Sequence, residues 1–136
     1  MTSKFGEISI STSKRRQIVD ITGDVEGFVK GCGVADGICV VFSLHSTTAI
    51  VINEGEGGLK EDILRKIEAD YPHGAGWHHD RIDDNADAHL AGTALGPSVA
   101  LIVRKGDLVL GAWQRVLFIE LDGPRSGRRV MLMAQG

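Results

Sequence analysis

The 136-residue sequence has little cysteine, proline or aromatic content, and such shortages exclude several classes of protein. Its two cysteines, Cys32 and Cys39, are too few for a disulfide framework and lack the Cys-x2-Cys spacing of zinc ribbons and redox motifs. We interpret both as small core residues of a protein in a reducing cytoplasm. No apolar run approaches the ~20 residues that span a bilayer, and no charged-then-apolar leader opens the sequence. We therefore expect neither membrane spanning nor export.

An excess of positive charge is also missing. The formal net charge is −3, from 15 Lys and Arg against 18 Asp and Glu. Nucleic-acid-binding modules carry a basic surface that neutralises phosphates, so we expect no nucleic-acid partner. Hydrophobic residues make up 43% of the chain, and its length suits a core that needs no disulfide. We expect a single domain over residues 1–136.

Glycine, in contrast, is abundant, with 18 residues or roughly twice its average share. Three glycines follow Asn53 and Glu54, two lie in the histidine-rich segment 71–85, and two bracket the strand before Trp113. Glycine lets the backbone turn sharply or approach a ligand closely. These positions therefore predict the borders of a binding site.

Hydrophobic periodicity predicts strands interrupted by helices and followed by more strands. One helix is expected from an N-cap at Thr22 to a left-handed Gly33, and another over residues 58–70. A long irregular loop over 71–85 precedes a short helix over 86–94, capped by Asp84 or Asn85. Strands are expected around residues 5–10, 17–21, 37–44, 49–52, 99–103, 108–110, 116–121 and 130–133. This order predicts an α+β fold with two or three helices and mixed, mostly antiparallel sheets.

The five histidines are the first candidates for chemistry. Three lie in the 71–85 loop, His89 opens the next helix and His45 ends a buried strand. Each histidine, taken alone, is explained by a solvated position or by a hydrogen-bonded position in the core. Together they suit a divalent metal, zinc or magnesium, because a catalytic metal site needs about three protein ligands. The helix dipole would keep His89 neutral. Their spacing matches no known zinc pattern, so direct phosphate binding stays an alternative.

Other polar residues stand at the ends of predicted strands. The hydroxyls of His45-Ser46-Thr47-Thr48 could bind phosphate oxygens or cap a turn. Glu120 shares a strand face with apolar residues, so its carboxylate must be paired, metal-bound or shifted in pKa, unless it faces water at an edge. Arg125, in the last turn, has a guanidinium that suits a phosphate. Trp113, judged alone, suits a core or a subunit interface better than a substrate platform.

A series of motifs runs in order from about residue 4 to residue 134 and resembles the YjbQ family. These are small cytoplasmic proteins linked to secondary thiamine-phosphate synthase activity. The Asn-x3-His and Gly-x-Trp-Gln motifs are its most specific members, although Ala112 stands where the family has threonine. The series consists of His45-Ser46-Thr47-Thr48, Asn53-Glu54, His79, Asn85-Ala86-Asp87-Ala88-His89, Gly106, Leu110-Gly111-Ala112-Trp113-Gln114, Glu120 and Asp122-Gly123-Pro124-Arg125.

The resemblance implies a YjbQ-like α+β fold, a homotrimer and a site that contains His45, His79 and His89. It also implies that His73 and His78 are incidental. The implied reaction joins a thiazole phosphate to a pyrimidine methyl diphosphate with loss of pyrophosphate. The alternatives are a metal-dependent phosphate ester hydrolase and a non-catalytic trimeric protein that binds a metal or metabolite. The expected catalytic residues are His45, His79, His89 and Glu120, and the three histidines are also the expected metal ligands. The expected binding residues for the phosphorylated small molecule are Ser46, Thr47, Thr48, Asn53, Glu54, Asn85, Trp113, Gln114 and Arg125.

Overall fold

Three helices and two antiparallel sheets make up the computed structural model, which describes residues 1–136. The strands are β1 (Ser3–Ile10), β2 (Gln17–Asp20), β3 (Gly37–Ser43), β4 (Thr48–Asn53), β5 (Ser98–Arg104), β6 (Asp107–Val109), β7 (Arg115–Glu120) and β8 (Arg128–Gln135). The helices are α1 (Thr22–Gly31), α2 (Gly57–Asp70) and α3 (Ala86–Leu95), and a 3-10 helix covers His78–Arg81. One sheet has the order β1-β8-β3-β5-β6 and the other β2-β7-β4. The predicted α+β fold is confirmed.

The three-stranded sheet is the middle layer of the molecule. On one face, Val116 and Phe118 of β7 pack into a core shared with α1 and the five-stranded sheet. On the other face, Leu117 and Ile119 pack into a second core with residues of α2 and α3. The end of β7, where Glu120 lies, is therefore enclosed on both sides.

The start of α1 differs from the prediction. Ile21, and not Thr22, occupies the N-cap position, and no side chain caps the helix. The Thr22 hydroxyl instead donates to Asp20 Oδ1 at 2.6 Å and accepts the Val116 N–H at 2.8 Å, which ties β2, α1 and β7 together. The other end agrees with the prediction, because Gly33 has a φ of +80° just beyond the helix.

A close approach at Gly92 positions α3. A Cβ atom at residue 92 would lie 2.9 Å from the carbonyl oxygen of Ser46 and 3.2 Å from that of Thr48. Only a glycine lets the helix settle this closely on the segment before β4. Asn85 stands at the N-cap position of α3, but its side chain makes no capping hydrogen bond. The helix thus brings Asn85 and His89 towards the turn that follows β3.

The outer face of the five-stranded sheet is uncovered. Ile38 and Phe42 of β3 are exposed there, beside Phe5 (69% exposed) on β1 and Ile102 (63% exposed) on β5. An exposed apolar face of this kind usually marks a contact surface. None of the helices has the length and apolar character needed to cross a membrane.

Candidate functional site

The register of β4 on β7 divides the predicted site between two places. Thr48 pairs with Glu120 at one end of this ladder, and Asn53 pairs with Arg115 at the other. Thr48 and Asn53 are five steps apart along the extended strand, which separates the two ends by about 17 Å. We name them the histidine end, which holds His45, Ser46, Thr47, Thr48, Asn85, Glu120 and Arg125, and the tryptophan end, which holds Asn53, Glu54, Trp113 and Gln114. The predicted site residues therefore do not form one cluster within a single chain.

Glu120 is the anchor of the histidine end. Its side chain is fully buried and accepts hydrogen bonds from Arg128 Nε at 3.0 Å and Nη2 at 2.5 Å, and from the Thr12 hydroxyl at 2.8 Å. Burial works to raise the pKa of this carboxyl, but the Arg128 and Thr12 hydrogen bonds outweigh it and hold the pKa below its usual value. The carboxylate is fully engaged, so it positions neighbouring groups and is unsuited to proton transfer.

The hydroxyls that follow His45 have different surroundings. Thr47 is buried, and its Oγ1 accepts a hydrogen bond from Arg128 Nη2 at 3.0 Å, which leaves its own proton free to donate. Thr48 is also buried and donates to the His45 carbonyl at 3.2 Å. Ser46 is exposed. Ser46 can therefore face a ligand, Thr47 keeps a donor proton that no acceptor in the chain takes up, and Thr48 holds the turn.

His45 has a defined tautomer. Its Nε2 lies 2.8 Å from the backbone nitrogen of Arg129, and a backbone N–H can only donate, so Nε2 accepts. Burial lowers the pKa of this imidazole, the charges of Arg128, Arg129 and Arg125 lower it further, and Glu120 partly opposes them. The neutral ring therefore carries its proton on Nδ1, which makes that atom a hydrogen-bond donor.

Asp122 joins α3 to the turn before β8. One of its oxygens, Oδ2, accepts hydrogen bonds from Asn85 Nδ2 and from Arg125 Nη2, both at 2.9 Å. The remaining Asn85 oxygen, Oδ1, is buried without a partner in the chain. Arg125 is half-exposed, so part of its guanidinium stays available to a ligand at the histidine end.

His79 and His89 form a second group close to this end. Their rings meet edge to face, with centroids 4.8 Å apart. They line a cleft of about 280 Å³ together with Trp77, His78 and Leu90. His78, which the resemblance implied to be incidental, is thus a wall of this cleft.

The three predicted metal ligands do not form a metal centre within one chain. No group of three or more His, Cys, Asp or Glu side chains is arranged to hold a metal ion. His45 also has no lone pair to offer, because Nε2 accepts the Arg129 N–H and Nδ1 carries the proton. The chain by itself does not fit a three-histidine zinc or magnesium site.

The tryptophan end is built on a tight turn between β6 and β7. The Gly111 N–H donates to Gln114 Oε1 at 2.8 Å, and the Gln114 N–H donates to the Gly111 carbonyl at 3.1 Å. Gln114, predicted to bind substrate, instead closes this turn. Asn53 likewise makes a local bond, since its Oδ1 accepts the Glu54 N–H at 2.8 Å. All four residues of this end are exposed, and the side chains of Trp113 and Glu54 make no hydrogen bond within the chain.

Asp87 is a buried charge that the sequence reasoning missed. Its carboxylate accepts hydrogen bonds from both terminal nitrogens of Arg15, at 3.0 and 3.1 Å. It also contacts Arg16 and His73 Nδ1. Burial works to raise its pKa, but Arg15, His73 and Arg16 hold the pKa well below the usual range. His73, expected to be incidental, therefore helps to fix the first turn of α3. The sequence did contain a signal for this buried charge, because Asp87 lies between two alanines in the Asn85–His89 motif.

Comparison with known proteins gives a consistent assignment. The family described as UPF0047 protein YjbQ-like matches residues 6–136. A UPF0047 protein of Archaeoglobus fulgidus is 53% identical over 128 residues, which cover 94% of this chain and 98% of that protein. The UPF0047 protein YugU of Bacillus subtilis is 37% identical over 123 residues, which cover 88% and 90%.

Solved structures agree over the same length. The crystal structure of a protein of unknown function from Sulfolobus solfataricus P2 has a TM-score of 0.98 at 47% identity and covers 99% of this chain and 98% of its own. A hypothetical protein from Aeropyrum pernix K1 has a TM-score of 0.95 at 41% identity, with 98% of each chain covered. The resemblance found in the sequence motifs is confirmed, and the chain belongs to the YjbQ-like UPF0047 family.

Proposed function

We propose that the protein binds a phosphorylated small molecule at the histidine end and acts as a transferase of the secondary thiamine-phosphate synthase type. The proposal rests on one observation, the donor state of His45. With Nε2 held by the Arg129 N–H, the neutral imidazole directs an Nδ1 proton outward. Phosphate oxygens accept hydrogen bonds, so a fixed N–H donor suits them better than it suits a metal ion.

Neighbouring groups complete a set of donors. Arg125, Arg128 and Arg129 lie close enough to His45 to lower the pKa of its imidazole. Arg125 has an exposed edge, and Ser46 and Thr47 have hydroxyl protons that no acceptor in the chain takes up. Donors that are already oriented stabilise a developing negative charge more than water does, because they need not reorganise during the reaction. This end of the molecule therefore supports a diphosphate leaving group.

The reaction gives these residues defined tasks. The thiazole nitrogen forms a bond to the methylene carbon of the pyrimidine, and the bond from that carbon to the diphosphate oxygen breaks. Pyrophosphate leaves with the electron pair, so His45, Ser46 and Arg125 would stabilise its oxygens. Glu120 would hold Arg128 and Thr47 in place. His79 and His89 would line the adjacent cleft, where a ring can be positioned.

Of the three histidines predicted to bind a divalent metal, this proposal keeps only His79 and His89 as ligands. Zinc or magnesium would need ligands beyond the His79–His89 pair, and a second copy of the chain would have to supply them. A metal analysis of the purified protein and of a His89→Ala variant tests this. Stoichiometric metal that is lost in the variant supports it, and metal-free, fully active protein contradicts it.

Self-association is proposed for the uncovered face of the five-stranded sheet. A homotrimer would bury Phe42, Ile102 and their apolar neighbours, which are exposed in the single chain. Light scattering should then give about three times the 14.6 kDa chain mass. Ile102→Lys should lower that mass, whereas Ala69→Lys, at an exposed residue of α2 outside the sheets, should not. An unchanged mass for Ile102→Lys would contradict this interface.

A reducing, cytoplasmic location is proposed on the state of the cysteines. Cys32 and Cys39 are both buried and unpaired. Burial raises the pKa of the Cys39 thiol to about 11, so this thiol stays protonated and unreactive at neutral pH.

Two measurements test the phosphate site and separate the alternatives. Calorimetry with inorganic pyrophosphate should show binding that weakens roughly tenfold or more in His45→Gln, because one donor to a charged ligand is lost. Asn53→Ala, at the tryptophan end, should bind as the wild type does. In a product assay, pyrophosphate release that requires the thiazole phosphate supports the transferase. Phosphate release without that acceptor indicates a hydrolase, and pyrophosphate binding without any turnover indicates a binding protein.

A further inference from the structure

A cleft of about 380 Å³ at the tryptophan end plays no part in the phosphate proposal. One wall is the indole of Trp113, a residue that is 75% exposed. Large aromatic side chains are rarely left this open unless something covers them. The remaining lining residues are Asp20, Glu54, Gly55, Glu56, Ala112 and Arg115.

The tryptophan is held in place before any ligand arrives. Gly111 and Gln114 close the turn through two hydrogen bonds, one of them from backbone N–H to the Gln114 side chain. A Cβ atom at residue 111 would approach Gln114 Oε1 to 3.3 Å, so the glycine keeps room for that side chain. A rigid turn lowers the conformational entropy lost on binding. The turn thus fixes the backbone from which the flat Trp113 side chain projects.

The charges of the cleft are not balanced. Arg115 Nε donates to Asp20 Oδ2 at 2.7 Å, so the single cation in the lining is neutralised. Glu56 is engaged in capping α2, where its carboxylate accepts the N–H groups of Gly58 and Leu59. Glu54 alone has a carboxylate without an ion pair or hydrogen bond, and it lines the cleft with Trp113. The lining repels anions and offers one free negative charge beside an aromatic face.

We infer that this cleft binds a small organic cation, a compound with a flat or quaternary positively charged nitrogen group. The cation would lie on the face of Trp113, where the ring quadrupole attracts it, with Glu54 as its counter-charge. This inference does not rest on the phosphate site, since the two ends of the β4–β7 ladder share no lining residue.

The test uses 1-methylnicotinamide, a cationic ring, and nicotinamide, its neutral counterpart, on the protein as purified. The two indole N–H resonances of the 15N-labelled protein are followed by NMR, and Trp113→Phe identifies the signal of residue 113. The cation should shift that signal saturably, and nicotinamide should not. Glu54→Gln should weaken binding about two- to fivefold, and Trp113→Ala by at least about fivefold. Glu61→Gln, an exposed glutamate outside the cleft, is the matched control and should have no effect.

Four results would overturn the inference. One is an equal shift with nicotinamide, and another is a Trp113 shift with inorganic phosphate, which would indicate an anion site. The third is a lower molecular mass for Trp113→Ala in light scattering, because Trp113 would then serve contact between copies of the chain. The fourth is binding of 1-methylnicotinamide that is unchanged in Glu54→Gln, because Glu54 would then not act as the counter-charge.

Discussion

The two ends of the β4–β7 ladder hold similar groups in opposite environments. At the histidine end, Glu120 and Arg128 form an ion pair that is almost wholly buried and satisfied by further hydrogen bonds. At the tryptophan end, Asp20 and Arg115 form a pair of nearly the same length that remains open to solvent. The two ion pairs have similar N···O distances, but their contributions to stability differ because water screens only the second.

Because of this difference, the buried pair holds neighbouring side chains in place, whereas the exposed pair does not. The buried pair fixes β7, β8 and the hydroxyl of Thr47, so the donors of the histidine end have little freedom. The exposed pair mainly neutralises Arg115 and leaves Trp113 and Glu54 facing solvent. Stability and ligand binding should therefore be coupled at the first end and independent at the second.

The largest expected effect is at Glu120. Glu120→Gln leaves the buried guanidinium of Arg128 without its counter-charge, and it should lower the free energy of unfolding by about 3–5 kcal/mol. Asp20→Asn is the matched carboxylate-to-amide change and should cost at most about 1 kcal/mol, because that pair is screened by water. Urea denaturation measures both. Equal losses in the two variants would mean that burial does not distinguish the two ends.

A smaller effect is expected where α3 meets the segment before β4. In Gly92→Ala the new methyl group meets two backbone carbonyls, and the strain should cost about 1–3 kcal/mol. Gly27→Ala, in α1, meets no atom within 4 Å and should be neutral or stabilising by up to about 1 kcal/mol. Pyrophosphate affinity should fall in Gly92→Ala only. A Gly92→Ala variant as stable as the wild type would show that α3 does not rest on the Ser46 and Thr48 carbonyls.

The smallest effect is the share of His45 in the pH dependence of stability. The folded-state pKa of His45 is lowered, so its stabilising contribution is present above the unfolded pKa of about 6.5 and is lost as pH falls through the folded value. His45→Gln should flatten the stability profile just below pH 6.5 and leave the loss of stability at lower pH, where Glu120 becomes protonated. Urea midpoints measured from pH 8 to pH 3 test this, and identical slopes in the two proteins between pH 6.5 and pH 5 would contradict it.

Much of the fold was predictable because its signals are local. The alternation in β7 correctly placed Glu120 with Val116 and Phe118 among apolar neighbours, and burial made a charge partner obligatory. The end of α1 at Gly33 was also predicted correctly from the sequence. Thr22 was not recognised as a bridge between strands, since its partner Val116 lies 94 positions away along the chain.

The candidate site was less predictable for the same physical reason. The order of the motifs identified the family, but that order does not contain the register of β4 on β7, which sets Asn53 and Thr48 at opposite ends. Thr12, which bridges Glu120 and the backbone of Arg125, comes from the far end of the sequence and carries no motif. Distant pairings of this kind arise only when the sheets form.

The tautomer of His45 is the most direct test of the phosphate site. Long-range 1H–15N NMR of the histidine side chains at pH 7 distinguishes a ring protonated at Nδ1 from one protonated at Nε2. We expect His45 to be neutral with its proton on Nδ1, and its Nδ1 signal to move on addition of inorganic pyrophosphate. A ring protonated on Nε2, or an Nδ1 signal that pyrophosphate does not move while it still binds, would contradict the account.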